Sequence, residues 1–154
     1  MKTHSRLLLA FLLLILVTPQ VGADEPPKDG PHVEYYENGQ KRREGQLKDG
    51  KEEGLETYWY ANGQKGGEFH WKNGVPDGLE PWWDENGQKW QEAHYKNGEL
   101  DGLWTEWYEN GQKKVDRHYK NGEQDSLETE WDEDGNKTLE IQYKDGKEIS
   151  RKEF

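Results

Sequence analysis

Trp107-Tyr108-Glu109-Asn110-Gly111-Gln112-Lys113 runs on to Tyr119-Lys120-Asn121-Gly122, so that one strand's length of chain lies between two Asn-Gly pairs. Asn-Gly flanked by alternating apolar and polar residues is the strongest short-range hairpin signal, because both residues accept the positive φ of a tight turn. Outward from this stretch the pattern repeats every 24 residues. One series is Gly39, Gly63, Gly87 and Gly111, with Asp134-Gly135 as its fifth member. A second is Gly50, Gly74, Gly98, Gly122 and Gly146, each preceded by Asn or Asp, and a third is Gly54, Gly78 and Gly102, continued by Ser126 and Ser150. Five units starting at Tyr35 end at Phe154. A period of this size marks stacked supersecondary units that bury apolar surface only against their neighbours. No segment between glycines is long enough for a helix. The expected fold is therefore all-β, a single elongated antiparallel meander of about ten strands built from five 24-residue hairpin repeats.

Parity sharpens the expectation. Leu47, Leu55, Trp59, Phe69, Trp71, Leu79, Trp83, Tyr95, Leu103, Trp107, Val115, Tyr119, Leu127, Trp131, Leu139, Ile141 and Tyr143 are all odd-numbered. Glu44, Lys48, Glu68, Lys72, Glu92, Lys96, Asp116 and Lys120 are even. Period-two alternation kept in phase over this length implies a buried odd face and a wet even face. Odd-length turns would preserve the phase, which predicts three-residue connections such as Ala61-Asn62-Gly63 and Lys48-Asp49-Gly50. Aromatic rows, among them Tyr35, Trp59, Trp83, Trp107 and Trp131, would serve as the core, with Leu55, Leu79, Leu103 and Leu127 as an aliphatic row beside them.

Composition sets the class. Of 154 residues, 30% are hydrophobic and 34% charged, a balance typical of disorder, yet 12% are aromatic, which implies packing. The absence of cysteine excludes a disulfide scaffold, a thiol enzyme and a cysteine zinc site. At the N-terminus Lys2, His4 and Arg6 precede an apolar run from Leu7 to Val17, too short for a bilayer span, followed by Val21-Gly22-Ala23. Residues 1–23 are expected to be a signal peptide, 24–34 a linker rich in Pro and Gly, and 35–154 the repeat array, which places the protein outside the cytoplasm, secreted or periplasmic. Cleavage removes Lys2 and Arg6 and takes the formal charge from −11 to −13. Nucleic acid and anionic membrane surfaces are then expected to be poor partners, since binding them depends on Lys and Arg.

The motif Tyr/Trp-x-x-Asn-Gly-Gln-Lys followed by Tyr-Lys-Asn-Gly is similar to the bacterial MORN-repeat-variant family, most clearly over residues 107–113 and 119–122. The resemblance covers residues 35–154 and implies a β-hairpin array without catalytic residues. Many members of that family bear the label antitoxin of a toxin–antitoxin system. Ser126, Asp134 and Ser150 depart from the pattern, all in the last two units, where capping repeats are atypical.

The candidate chemistry is sparse. His70, His94 and His118 share one repeat position but would stand about 9.6 Å apart on alternate strands, too far to ligate one zinc, so they read as a solvent-facing row. Asp132-Glu133-Asp134-Gly135-Asn136 lacks the EF-hand spacing and reads as a turn. Ser126 and Ser150 are the only serines beyond residue 23, too few for a Ser-His-Asp arrangement. No enzyme activity, cofactor or metal is expected. Binding is a different matter, because the even face carries Tyr58, Tyr60, Trp82, Trp90, Trp104 and Tyr108, and exposed Trp and Tyr in a cluster mark contact surfaces. These six are the candidate partner-binding residues. The expected function is a protein-interaction or scaffold module, with a cell-wall or polysaccharide binder, stacking sugars on the Trp and Tyr rows, as the alternative.

Overall fold

The computed structural model describes residues 29–154, and the signal peptide expected at 1–23 lies outside the described residues. Those residues form one open antiparallel sheet. In chain order the strands are β1 (Gly30–Tyr35), β2 (Lys41–Lys48), β3 (Lys51–Glu52), β4 (Gly54–Trp59), β5 (Lys65–Lys72), β6 (Val75–Pro76), β7 (Gly78–Trp83), β8 (Lys89–Lys96), β9 (Glu99–Trp107), β10 (Lys113–Lys120), β11 (Glu123–Gln124), β12 (Ser126–Trp131), β13 (Lys137–Lys144) and β14 (Lys147–Glu153). Each pairs with its sequence neighbour, and the short pieces β3, β6 and β11 lie against β2, β5 and β10 ahead of the longer strands they lead into. The array starts earlier than Tyr35: β1 takes in residues 30–34 of the expected linker and pairs with β2 from Gly30–Leu47 to Tyr35–Lys41.

The two turns of each unit differ. Ala61-Asn62-Gly63 is the three-residue connection expected, with the Gly63 amide donating to the Tyr60 carbonyl at 2.9 Å and the Tyr60 amide to Gln64 at 2.8 Å. The expected three-residue Lys48-Asp49-Gly50 loop is instead a two-residue Asp49-Gly50 turn, with φ of 52° and 71° and Lys48 opposite Lys51. Both residues being left-handed is the mirror-image type I turn, whose twist suits the strands it joins. Carboxylates one unit upstream cap these turns. Asp29 accepts from the Gly50 amide at 2.9 Å, Glu53 from Asn73 at 2.8 Å, Asp77 from Asn97 at 3.1 Å and Asp101 from Asn121 at 3.2 Å. This is one reason an acidic chain folds: part of its charge is used as turn acceptors.

The expectation of an odd core throughout is overturned by the register. Tyr58 faces Gly67 and Trp59 faces Lys65, which leaves Gly66 as an extra residue in a bulge beside the three-residue turn. That bulge reverses the phase, and so does the two-residue turn at the other end. One sheet face consequently collects even residues from the first strand of each hairpin (Glu56, Tyr58, Glu80, Trp82, Trp104, Glu128) and odd residues from the second (Phe69, Trp71, Ala93, Tyr95, Val115, Ile141). It holds the buried apolar residues Leu47, Phe69, Ala93, Val115 and Ile141, and is the core face.

Leu55, Leu79, Leu103 and Leu127 lie on the opposite face with Trp59, Trp83, Trp107 and Trp131, and Leu55 is 49% exposed. There a lysine lies 5.5–5.9 Å from the centre of each Trp ring: Lys41 on Trp59, Lys65 on Trp83, Lys89 on Trp107 and Lys113 on Trp131. Each of these lysines also pairs with an acid three residues on, Glu44, Glu68, Glu92 and Asp116 respectively, at 2.6–2.8 Å. The aromatic rows assigned to the core are thus split, and half of them are covered by lysine stems and charge rather than by a second layer.

The third glycine series opens the strands that lead off these turns. Gly54, Gly78 and Gly102 have φ of 78°, 146° and 129°, and Ser126 is held at φ 72° in the same place. A side chain there costs energy that glycine does not. Ser126→Gly is expected to stabilise the protein by roughly 0.5–1 kcal/mol in urea unfolding; an unchanged or lower midpoint would show that the site carries no strain. Ser150 escapes the requirement, because β14 pairs Gln142 with Ser150 as an ordinary strand residue.

Candidate functional site

At the N-terminal half of the core face a cleft of about 550 Å³ opens among Tyr58, Phe69, Trp71 and Trp82, with Glu34, Arg42 and Arg43 on its polar side and Tyr36 and Tyr60 at the turn end. The local sequence explains its depth. Gly66 and Gly67 follow the turn where other units carry Trp90-Gln91 and Lys114-Val115, so rings from adjacent strands fold down onto bare backbone. A β-carbon at Gly67 would stand 2.9 Å from Phe69 and 3.3 Å from Trp82. The rings meet edge to face: Tyr58 and Phe69 at 5.1 Å and 84°, Phe69 and Trp82 at 4.7 Å and 82°. Trp90 extends the cluster, 6.1 Å from Trp82.

Beneath the rings lies a carboxylate. Glu56, 1% exposed, accepts from the Trp71 indole at 2.8 Å, from the Tyr58 hydroxyl at 3.0 Å and from Arg43 Nε. His32 Nε2 stands 3.4 Å away. Arg43 also reaches Glu52 at 3.4 Å and Glu34 at 3.6 Å, and its guanidinium lies 5.5 Å from the centre of the Tyr58 ring. Burial works against the charge on Arg43, but its bond to Glu56 and the charge of Glu56 hold its pKa above the ordinary value. The Tyr58 phenol is pushed up to about 12, first by burial and then by the charge of Glu56, so it remains a donor across the physiological range.

Two repeat-equivalent carboxylates share this face. Glu128, 4% exposed, accepts from Arg117 at 3.0 Å and from Gln124. Glu80, 5% exposed, has an Oε1 with no hydrogen-bond partner, and burial alone pushes its carboxyl up to about 7.

The six residues chosen from the sequence divide. Tyr58, Tyr60 and Trp82 line the cleft. Trp90, 39% exposed, packs against Trp82 from the bulge position of its own hairpin. Trp104 lies on the core face beyond Ala93, with the Arg117 guanidinium 4.9 Å from its ring centre. Tyr108 is at a turn, its hydroxyl donating to the Trp131 carbonyl at 2.8 Å, as Tyr60 does to Trp83 at 2.9 Å and Tyr36 to Trp59 at 2.7 Å. The six are therefore not one even-numbered patch: three belong to the cleft, one borders it, and two stand apart.

Phe69, Trp71, Arg43 and Glu34 complete the site and were missed, because an unbroken phase assigns Phe69 and Trp71 to the hidden side. The signal that could have found them is the Asp49-Gly50 pair, whose preference for two-residue loops flips the phase. His70, His94 and His118 are exposed as expected, on the face opposite the cleft, each with Nδ1 3.0–3.1 Å from a leucine carbonyl on the paired strand. Asp132 to Asn136 is a turn, closed by Asp132 Oδ1, which accepts from the amides of Asp134 at 3.0 Å and Asn136 at 2.8 Å.

Comparison with known families agrees with this geometry. The model for the MORN repeat variant matches residues 28–49, 76–97 and 100–121, which cover the hairpins β1–β2, β7–β8 and β9–β10. No curated protein matches the chain. Over three of its hairpins the chain is thus similar to the MORN repeat variant.

Proposed function

We propose that the protein is a non-enzymatic, exported interaction module that seats a protein partner in the Tyr58–Trp71–Trp82 cleft. The observation that carries this reading is the cleft itself: a cluster of half-buried rings with a polar side of Glu34, Arg42 and Arg43, the composition of a binding centre rather than of a plain sheet surface. The sugar-stacking alternative needs open ring faces in a row. On the opposite face the row of Trp59, Trp83, Trp107 and Trp131 presents lysines instead, and on the core face Trp104 presents Arg117. A protein partner also accords with the resemblance to bacterial antitoxin-labelled repeats, whose label implies binding another protein.

Trp82→Ala should abolish capture of the partner from an envelope extract, and binding of that partner once purified. Trp104→Ala, beyond the cleft, should leave both intact, with circular dichroism unchanged in each variant. Equal loss in the two variants, or retention in Trp82→Ala, would overturn the placement of the site. Retardation by polysaccharide in a native gel, lost with Trp82→Ala, would replace the protein partner by a glycan.

A further inference from the structure

The repeats supply an internal comparison for Glu80. Glu56 takes its guanidinium from Arg43, 13 residues earlier, and Glu128 takes its own from Arg117, 11 residues earlier. The same two offsets from Glu80 lead to Gly67 and Phe69, neither of which carries charge. The rings repeat the contrast. Arg43 covers Tyr58, whereas Trp82, its counterpart one repeat on, is met by the edge of Phe69 at 4.7 Å. Glu80 is the one buried glutamate on this face, among the described residues, left with an unpartnered oxygen.

We propose that Glu80 and Trp82 form the acceptor site for an arginine side chain of the partner protein, which supplies in trans the guanidinium that Arg43 and Arg117 supply in cis. The proposal rests on the cleft being the docking surface and names the chemistry of its occupant. A neutral donor would leave the ionised carboxylate uncompensated. A guanidinium neutralises it, bonds it through two N–H groups and stacks on the indole, and it sheds water more readily than an ammonium. The formal charge of −11 draws basic partners toward the surface. Entry requires the Phe69 edge to swing off Trp82, after which the guanidinium occupies the place over the ring that Arg43 holds over Tyr58.

The surroundings of Glu80 make the pH response simple. Gly67 pairs with Trp82 from β5 and so sets Phe69 beside Glu80, Gly78 and Trp82 flank it on β7, and Gln91, Ala93 and Tyr95 face it from β8. Of these only Tyr95 titrates, and burial raises its phenol. Because the Glu80 carboxyl sits at about 7, arginine capture should strengthen from pH 6 to pH 8.

The test uses the full chain, tryptophan fluorescence and two end-blocked glycine pentapeptides, one with a central arginine and one with citrulline in its place. The arginine peptide should bind about tenfold more tightly than the citrulline peptide at pH 8. Glu80→Gln should erase the preference. Phe69→Arg, which places a guanidinium at the offset by which Arg117 meets Glu128, should erase it too. Equal binding of both peptides, no binding of either at the highest soluble concentration, or a preference kept in Glu80→Gln would overturn the proposal. Glu80→Gln is nearly isosteric, so its result decides the matter even if Phe69→Arg unfolds. The cleft reading is judged separately by partner capture with Trp82→Ala, so either can fail without the other.

Discussion

Arg43→Ala should destabilise the protein by roughly 3 kcal/mol at pH 7, because removing one member of a buried ion pair leaves the other charge uncompensated. Glu56 would keep the Trp71 and Tyr58 donors but lose the cation that also anchors Glu52 and Glu34. The figure sits at the low end for such pairs, since the Arg43 side chain is partly open to solvent and water would take some of its place. Urea unfolding of three variants checks the mechanism. Arg43→Ala alone should show the full loss, and Arg43→Ala combined with Glu56→Gln should recover most of it, since an amide needs no counter-charge. A loss below about 1 kcal/mol in the single variant would show that Glu56 is hydrated and that the network does not organise the cleft.

Glu80→Gln should raise stability, and the gain should depend on pH in a defined direction. The carboxyl is held at about 7 in the folded protein against an ordinary value of 4.5, with burial as the cause. The folded state therefore binds the proton more tightly than the unfolded chain. Its contribution to stability is fully present below about pH 4.5 and is lost as the pH rises through 7. At about 1.4 kcal/mol per unit, wild type should be roughly 3 kcal/mol less stable relative to Glu80→Gln at pH 8.5 than at pH 4. Taking the difference between the two proteins cancels the titration of the many other acids. Thermal melts across that range would show two curves that run together in acid, diverge between about pH 4.5 and 7 and keep that separation above it. Parallel curves would mean that water or a neighbouring donor already reaches Glu80.

The two effects have one origin. This sheet face places glutamates beneath rings, where an ionised carboxylate is costly without a partner. Glu56 and Glu128 have partners and Glu80 does not, so the unit containing Glu80 is the one whose stability is open to pH and to an arriving cation.

Much of this was legible in the chain. Asn-Gly and Asp-Gly at fixed spacing act through local backbone sterics: few residues other than glycine and asparagine accept left-handed φ, so Gly63, Gly87 and Gly111 announce turns wherever the rest of the chain goes. That is enough for the all-β class, the hairpin repeat and the three-residue Ala61-Asn62-Gly63 loop. Trp82 and Tyr58 were legible too, as rings out of phase with their neighbours.

What the sequence by itself determined is therefore the repeat, its turns and the succession of antiparallel strands, because each depends on dihedral preferences a few residues wide. Which side chains share a face was decided only by the tertiary structure. A single extra residue such as Gly66 inverts the side to which every following residue points, and whether a strand takes that bulge depends on the pairing it must satisfy across the sheet rather than on its own residues. For the same reason the isolation of Glu80 could not be read from composition: carboxylates abound in this chain, and only the register sets this one opposite Ala93 and beside Phe69, away from the arginines that serve Glu56 and Glu128.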